Sequence, residues 1–328
     1  MRVSYEELRE TLRRALLKVG FEQGRAELCA RLFADTDRDG VHTHGLNRFP
    51  RFLETISSGV VGVGARAECV EARGALERWD GRGGPGNLNA HDSMARAVEL
   101  ANRFGLGCVA LRNTNHWMRG GSYGWQAAEG GALAVCWTNT MPNLPPWGSA
   151  RPLLGNNPLV IAVPRADGHV VLDMAMSQFS YGALAAYRER GEQLPVDGGF
   201  DSEGRLTRDP RAVEESGRPL PAGYWKGSGL ALLLDMAAAL LSAGLATHQI
   251  PADPLRETRL SQVFIAFDLS SFAGSEIANE IVENLKQASA EGEAVRYPGE
   301  RTLRVRRENM EKGVPVEPKV WEQVLKLI

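Results

Sequence analysis

The spacing of apolar residues divides the chain into stretches of different character. Leu8, Leu12, Leu16 and Val19 recur at helical spacing, which predicts an amphipathic helix. Ser4 and Glu7 ahead of them fit a capping box, and Gly20 is a stop. A second helix is expected from about residue 24 to Asp39, broken by Gly40. A third is expected from near His44 to Gly59, with Pro50 limiting its first part to a turn or a kink. From about residue 68 short apolar runs alternate with helical stretches: ALERWD, SMARAVELANRFG, CVALRN, YGWQAAEGG, LAVCWTN, PLVIAVP and HVVLDMA. Such alternation argues for an α/β core. SQVFIAFDL at 261–269 adds a late strand, 274–290 reads as a surface helix, and the tail from Lys319 as another. The Gly- and Pro-rich stretch 191–223 reads as a long ordered loop region, a kind of segment that often carries function. The expected division is a helical region, 1–65, packed with the C-terminal helices of 274–328, and an α/β core over 66–273 that binds cofactor and substrate.

One segment, GLALLLDMAAALLSAGLA at 229–246, is apolar all round and nearly long enough to span a bilayer, with Asp235 in its middle. A helix buried in a large core is the reading taken. Composition narrows the class further. At 328 residues the chain can bury a large core, and its net charge of −2 implies no strong field for nucleic acid or membrane. MRVSYEELRE carries no apolar signal core. Cys29, Cys69, Cys108 and Cys136 are scattered without a CxxC, so they read as reduced thiols of a cytoplasmic protein.

Candidate chemistry begins at HTHGLNRFPRF, 42–52, where His44 and Arg48 are four residues apart and would share one face of a helix. Arg48 can fork onto a carboxylate, and His44 can pass a proton to the neighbouring carbonyl oxygen of a 2-oxo acid. A second cluster, NTNHWMRGGSYGWQAA, places Asn115, His116, Trp117 and Arg119 just after a predicted strand, where α/β proteins collect active sites. His42 and His44 form HxH, with His116 as a third candidate metal ligand, but no acid stands at a telling spacing, so no metal is expected. GRGGPG at 81–86 matches the dinucleotide fingerprint. Pro85, the charged strand before it and the absence of an acid after the next strand count against it. YWKGSG at 224–229 is the better phosphate site, with a helix N-terminus, two close glycines and the charge of Lys226. A plain helix start with Ser228 as N-cap would leave Trp225 and Lys226 unexplained.

Several segments together resemble the malate/L-lactate dehydrogenase family, which is unrelated to the Rossmann-type lactate and malate dehydrogenases. They are GVHTHGLNRFPRF, LRNTNHWMRGGSYGWQAAEGG, PPWG, GNNPLVIAVP, LDMAMSQFSYG, QLPVDGGFDSEG, GYWKGSGLALLLDM and the late PGE, in one order from about residue 40 to 300. The resemblance implies a non-Rossmann α/β fold with a mixed sheet and a mostly helical second domain, usually as a homodimer. It implies NAD(H)-dependent reduction of a 2-oxo acid or oxidation of a 2-hydroxy acid, with the choice between NADH and NADPH left open. The cofactor would lie along His169, Val170, Val171, Leu172, Asp173, Met174 and Ala175, with Trp225, Lys226, Gly299, Glu300 and Arg301. The family's proton donor falls on His44. Catalysis is thus assigned to His44, Arg48 and His116, and substrate contact to Arg48, Asn115 and His116. His42 and Thr43 stand where the family pattern has Tyr or Ser, Arg301 follows PGE, and the loop before Pro146 reads MPNLP. A metal-dependent hydrolase and a cofactor-binding protein without turnover are the rival classes.

Overall fold

A computed structural model of the chain describes residues 1–270, 275–288 and 294–328. The helices come largely where the periodicity puts them. Ser4 caps α1 (Tyr5–Lys18) by accepting the Glu7 N–H at 3.1 Å, and α2 spans Gln23–Arg38. The expected third helix is different. Residues His42–His44 and Leu46–Arg48 form two separate 3-10 turns, and α3 begins only at Phe49 and runs to Ser57, with Pro50 in its first turn. The break falls at Gly45.

The sheet has seven strands: β2 (Glu68–Arg73), β3 (Leu76–Asp80), β4 (Leu106–Asn115), β5 (Ala132–Thr138), β6 (Leu159–Val163), β7 (Val170–Met174) and β10 (Thr258–Asp268). Their order is β2-β3-β4-β10-β5-β6-β7. Only β3 and β4 run parallel, joined by α4 (Gly86–Phe104); every other neighbouring pair is antiparallel. The sheet is therefore mixed, as expected, with one βαβ unit rather than a wound series. Two-residue strands β1 (Arg2–Val3) and β11 (Val314–Pro315) pair at the termini, as do β8 (Gly199–Phe200) and β9 (Leu206–Thr207). The stretch 191–223 is thus not only loop. With α6 (Tyr181–Arg190) and α7 (Pro210–Ser216) it builds a small unit around Leu184, Leu194 and Val213.

Strand alternation sorts side chains onto two faces of this sheet. Val109, Leu111 and Phe264 pack beneath α4 and α5 (Gly121–Glu129), while Ala110, Val263 and Trp137 meet Ala231, Leu234 and Ala238 of α8 (Trp225–Ser242). The result is three layers. Helix α8 departs from the expected buried helix, because none of the described residues covers its outer face. Trp225, Leu233 and Leu240 are 66%, 61% and 72% exposed. Among the described residues no helix is long and apolar enough to cross a membrane. Leu8, Leu12 and Leu16 of α1 and Phe33 of α2 share a separate apolar cluster with Val314, Trp321 and Val324 near the C-terminus, the last two on α11 (Pro318–Leu325). Helix α9 covers Ser275–Gln287 of the expected 274–290, and α10 (Glu300–Lys312) is a helix the periodicity did not announce. The expected boundary at 273/274 and residues 289–290 lie outside the described residues.

Candidate functional site

The chemistry gathers at the carboxyl end of β4, where the chain leaves the sheet through Asn115 and His116. The His44–Arg48 turns are brought there by Asp37, a buried carboxyl on α2. It accepts from His42 Nδ1 at 2.9 Å and from the Leu46 N–H. Burial pushes the Asp37 carboxyl up, against the His42 and Leu46 contacts. A Cβ on Gly45 would collide with this carboxylate, so glycine is what lets the segment close on α2. His42 of the HxH is thereby a mooring point. Among the described residues no three His, Cys, Asp or Glu side chains form a metal-binding group.

His44 and Arg48 reach one site without sharing a helix face. The His44 ring stacks on His116, with centroids 5.9 Å apart and planes 14° from parallel. Burial first, and then the charges of Arg48 and Arg119, push the His44 pKa down to about 4. Its Nδ1 lies 3.1 Å from Thr43 Oγ1, leaving Nε2 for a ligand. His116 differs in kind. Its Nδ1 accepts the Met118 N–H at 3.0 Å, which fixes a neutral ring whose Nε2 carries hydrogen and can only donate. Burial, Arg48 and His44 hold its pKa well below the usual imidazole range.

A narrow cleft with a cavity volume of about 20 Å³, far below an open ligand pocket, lies beside the His116 ring. Its wall includes Arg48, Arg51, Thr55, Asn115, His116 and Glu257. Burial, opposed by Glu257, pulls the Arg48 pKa down to about 10, and burial raises Glu257 against the pull of Arg48. Asn115 does not reach for a ligand with its amide nitrogen. Nδ2 donates to Gly83 O and Gly84 O at 2.8 and 2.9 Å. Arg119 is buried against Asp39 at 2.7 Å, together with Arg306, whose guanidinium lies over Trp125. Burial would raise Asp39, but Arg306, Arg119 and Arg38 hold its carboxyl far below the carboxylate range. Trp117 is a core residue. Glu257 was missed in the sequence. It precedes the run read as a strand, and only the pairing of Thr258 with Asn115 sets it beside the site.

The Gly-rich turn 81–86 is closed to phosphate. Its Gly81, Gly83 and Gly84 amides donate to Arg112 O, Asn113 O and Gly81 O. A Cβ on Gly86 would collide with the carbonyls of Asn115 and His116. The start of α8 also differs from expectation. The Lys226, Gly227 and Ser228 amides donate to Gly223 O, Ala222 O and Tyr224 O, so these three are spent, while the side chains of Trp225 and Lys226 are exposed. Lys226 makes no ion pair with any described residue. Ser228 does not cap; its hydroxyl accepts the Trp147 N–H.

The segments expected along the cofactor do meet. β7 is one of the two edge strands of the seven-stranded sheet. At its start the Val171 N–H donates to Pro298 O at 3.0 Å, placing His169–Val171 against Gly299 and the first turn of α10. Just past its end the Ala222 N–H donates to Met176 O at 2.8 Å, placing Ala175 near the start of α8. Between them Asp173 accepts the Gly121 N–H at 2.8 Å; its crowded surroundings raise it, against Arg119 and that N–H.

The chain thus joins a mixed-sheet α/β core to a site of two stacked histidines and a partly buried arginine. It matches the malate/L-lactate dehydrogenase description over residues 3–325. It is 44% identical over 330 residues to 2,3-diketo-L-gulonate reductase of Citrobacter koseri, across 99% of both chains. It is 45% identical over 333 residues to the enzyme of that name in Pasteurella multocida, across 100% of both. Among solved structures it is similar to sulfolactate dehydrogenase of Methanocaldococcus jannaschii, with a TM-score of 0.91, 27% identity and coverage of 100% of this chain and 96% of that one. The chain belongs to the malate/L-lactate dehydrogenase family and is an oxidoreductase.

Proposed function

We propose that the chain reduces the 2-oxo group of a 2,3-dioxo sugar acid, 2,3-diketo-L-gulonate to 3-dehydro-L-gulonate, with a nicotinamide nucleotide. The observation that carries this is the meeting of Arg48 and His116 on one small cleft, with His44 stacked on His116, together with the names of the two full-length relatives. Oxidation of a 2-hydroxy acid of the malate, lactate or ureidoglycolate type is the second reading, favoured by the likeness to sulfolactate dehydrogenase.

Arg48 forks onto the substrate carboxylate. His116 Nε2–H donates to the substrate and holds its carbonyl beside His44. His44 Nε2 gives the proton to the carbonyl oxygen. In the free protein His44 is neutral at pH 7, since its pKa is held near 4. Burial is the main cause of that depression and Arg48 the next, so a carboxylate bound on Arg48 weakens it and raises the His44 pKa as substrate binds. Asp39 holds Arg119 beside His44 and keeps that cation in place.

The track along β7 fits an extended dinucleotide. It offers an open strand edge, Gly299, Glu300 and Arg301 at one end, and Trp225 and Lys226 at the other. Lys226 binds phosphate through its side chain. When bound, the nicotinamide supplies hydride to the carbonyl carbon. We read NAD(H) as the nucleotide, the exposed apolar stripe of α8 as the contact of a homodimer, and the cytoplasm as the compartment, which the four free thiols suit. Residues 1–65 with the C-terminal helices are read as a unit that carries His44 and Arg48 to the 66–273 core.

The test is NADH oxidation against a panel of 2-oxo and 2,3-dioxo acids, with NADPH in parallel and sedimentation for the dimer. Turnover of the dioxo sugar acid with little of pyruvate or oxaloacetate is expected. Turnover of simple 2-oxo acids alone moves the substrate, and none at all removes the catalytic reading.

A further inference from the structure

We infer that Glu257, with the side-chain amide oxygen Oδ1 of Asn115, recognises hydroxyl groups on the substrate tail and so sets the preference for a polyhydroxylated acid. This rests on the reading of the cleft as a 2-oxo acid site.

The argument starts from the sheet. β10 runs antiparallel to β4, and Thr258 pairs with Asn115. The register then shifts between Thr258 and Leu260, where Arg259 has φ 59°. Such irregularities re-aim side chains near sites. Glu257 is thereby set on the same cleft wall as Asn115, Arg48 and His116. Its side chain is 7% exposed.

Both residues have one end fixed and one acceptor left over. Glu257 Oε1 accepts the Met141 N–H at 3.2 Å. Oε2 stands 4.0 Å from Arg48 Nη2, which is too far for a hydrogen bond. Asn115 spends Nδ2 on the carbonyls of Gly83 and Gly84, which dictates the orientation of its amide. Its Oδ1 is buried with no donor. The residue is 3% exposed. Buried acceptors of this kind are normally satisfied. Beside them the substrate carboxylate is claimed by Arg48, and the carbonyl by His44 and His116. What the two spare acceptors lack is O–H donors, and the tail of a sugar acid carries them. An acid without hydroxyls leaves both unpaired, and a site built to bond a hydroxyl rejects the analogue that lacks it.

Glu257→Gln is the discriminating variant. The Gln carbonyl keeps the Met141 N–H, while its NH₂ turns the cleft-facing atom from acceptor to donor at nearly unchanged volume. kcat/KM is measured for wild type and variant with 2,3-diketo-L-gulonate and with 2-oxobutanoate, which has no hydroxyl. The effect of the lost charge on Arg48 is common to both acids and cancels in the ratio. The ratio of the first to the second is expected to fall about tenfold or more. An unchanged or increased ratio overturns the assignment and leaves Glu257 acting on Arg48 alone. A wild type inert toward both acids overturns the underlying reading, and this inference with it. A Glu257→Asp variant, which keeps an acceptor, should retain more of the ratio than Gln, and the reverse order also contradicts the assignment.

Discussion

Helices α4 and α8 each begin after a glycine-rich turn, and near both starts several amides bond to protein carbonyls: those of Gly81, Gly83 and Gly84 before α4, and those of Lys226, Gly227 and Ser228 in the first turn of α8. The likeness ends there. The turn before α4 is packed from within: Asn115 grips it, and its glycines touch the backbone of Asn115 and His116. It backs Asn115 and His116, two residues of the cleft wall. The start of α8 faces outward and presents Trp225 and Lys226, with an apolar stripe running on along the helix. Glycine at a helix start is thus no sign of phosphate in itself. What decides is where the amides go and what lies in front of them.

The comparison breaks most visibly at Gly86. Gly86→Ala would drive a methyl into two backbone carbonyls that cannot move apart without disturbing β4. Thermal unfolding should register a loss of more than about 3 kcal/mol, or no folded protein. A normal melting temperature with weakened nucleotide binding would instead make this turn a cofactor site. Lys226→Met should do the opposite. Folding stays intact, while nucleotide Kd rises about tenfold, the value of one exposed charge on phosphate given by roughly 1.4 kcal/mol. An unchanged Kd in calorimetry would detach Lys226 from the cofactor.

A smaller effect concerns pH. His44 has a folded-state pKa near 4, below the usual 6.5. Between those values the unfolded chain binds the proton and the folded chain does not, so stability falls as pH drops from about 6.5 toward 4. His116, displaced in the same direction, adds to the slope. His44→Gln should flatten it in denaturant titrations at several pH values. A slope indifferent to the substitution would mean that His44 is not held neutral by its surroundings.

Much of the scaffold was legible because it is local. Strand runs such as CVALRN and SQVFIAFDL, and the periodic α1, declare themselves through spacing alone. The misreadings are tertiary. His44 and Arg48 share a site through Asp37 and Gly45, across a break that no helical period describes. Helix α8 is apolar on every side, and sequence cannot say which side the rest of the chain leaves bare. Glu257 becomes a site residue only because β10 returns beside β4, a pairing some 140 residues distant in sequence, and nothing in DPLRETRL announces it. The charged ALERWD looked unfit for a parallel strand, yet β3 is one; it lies second from the sheet edge, where Glu77 finds Arg96.

The central claim is that His44 delivers the proton while other parts of the chain hold the nucleotide. The most direct test is His44→Ala, followed by NADH oxidation with 2,3-diketo-L-gulonate and by NADH binding on the same preparation. The account predicts that turnover falls by about a hundredfold or more while NADH affinity stays within about twofold of wild type. A variant that turns over at close to the wild-type rate would contradict it.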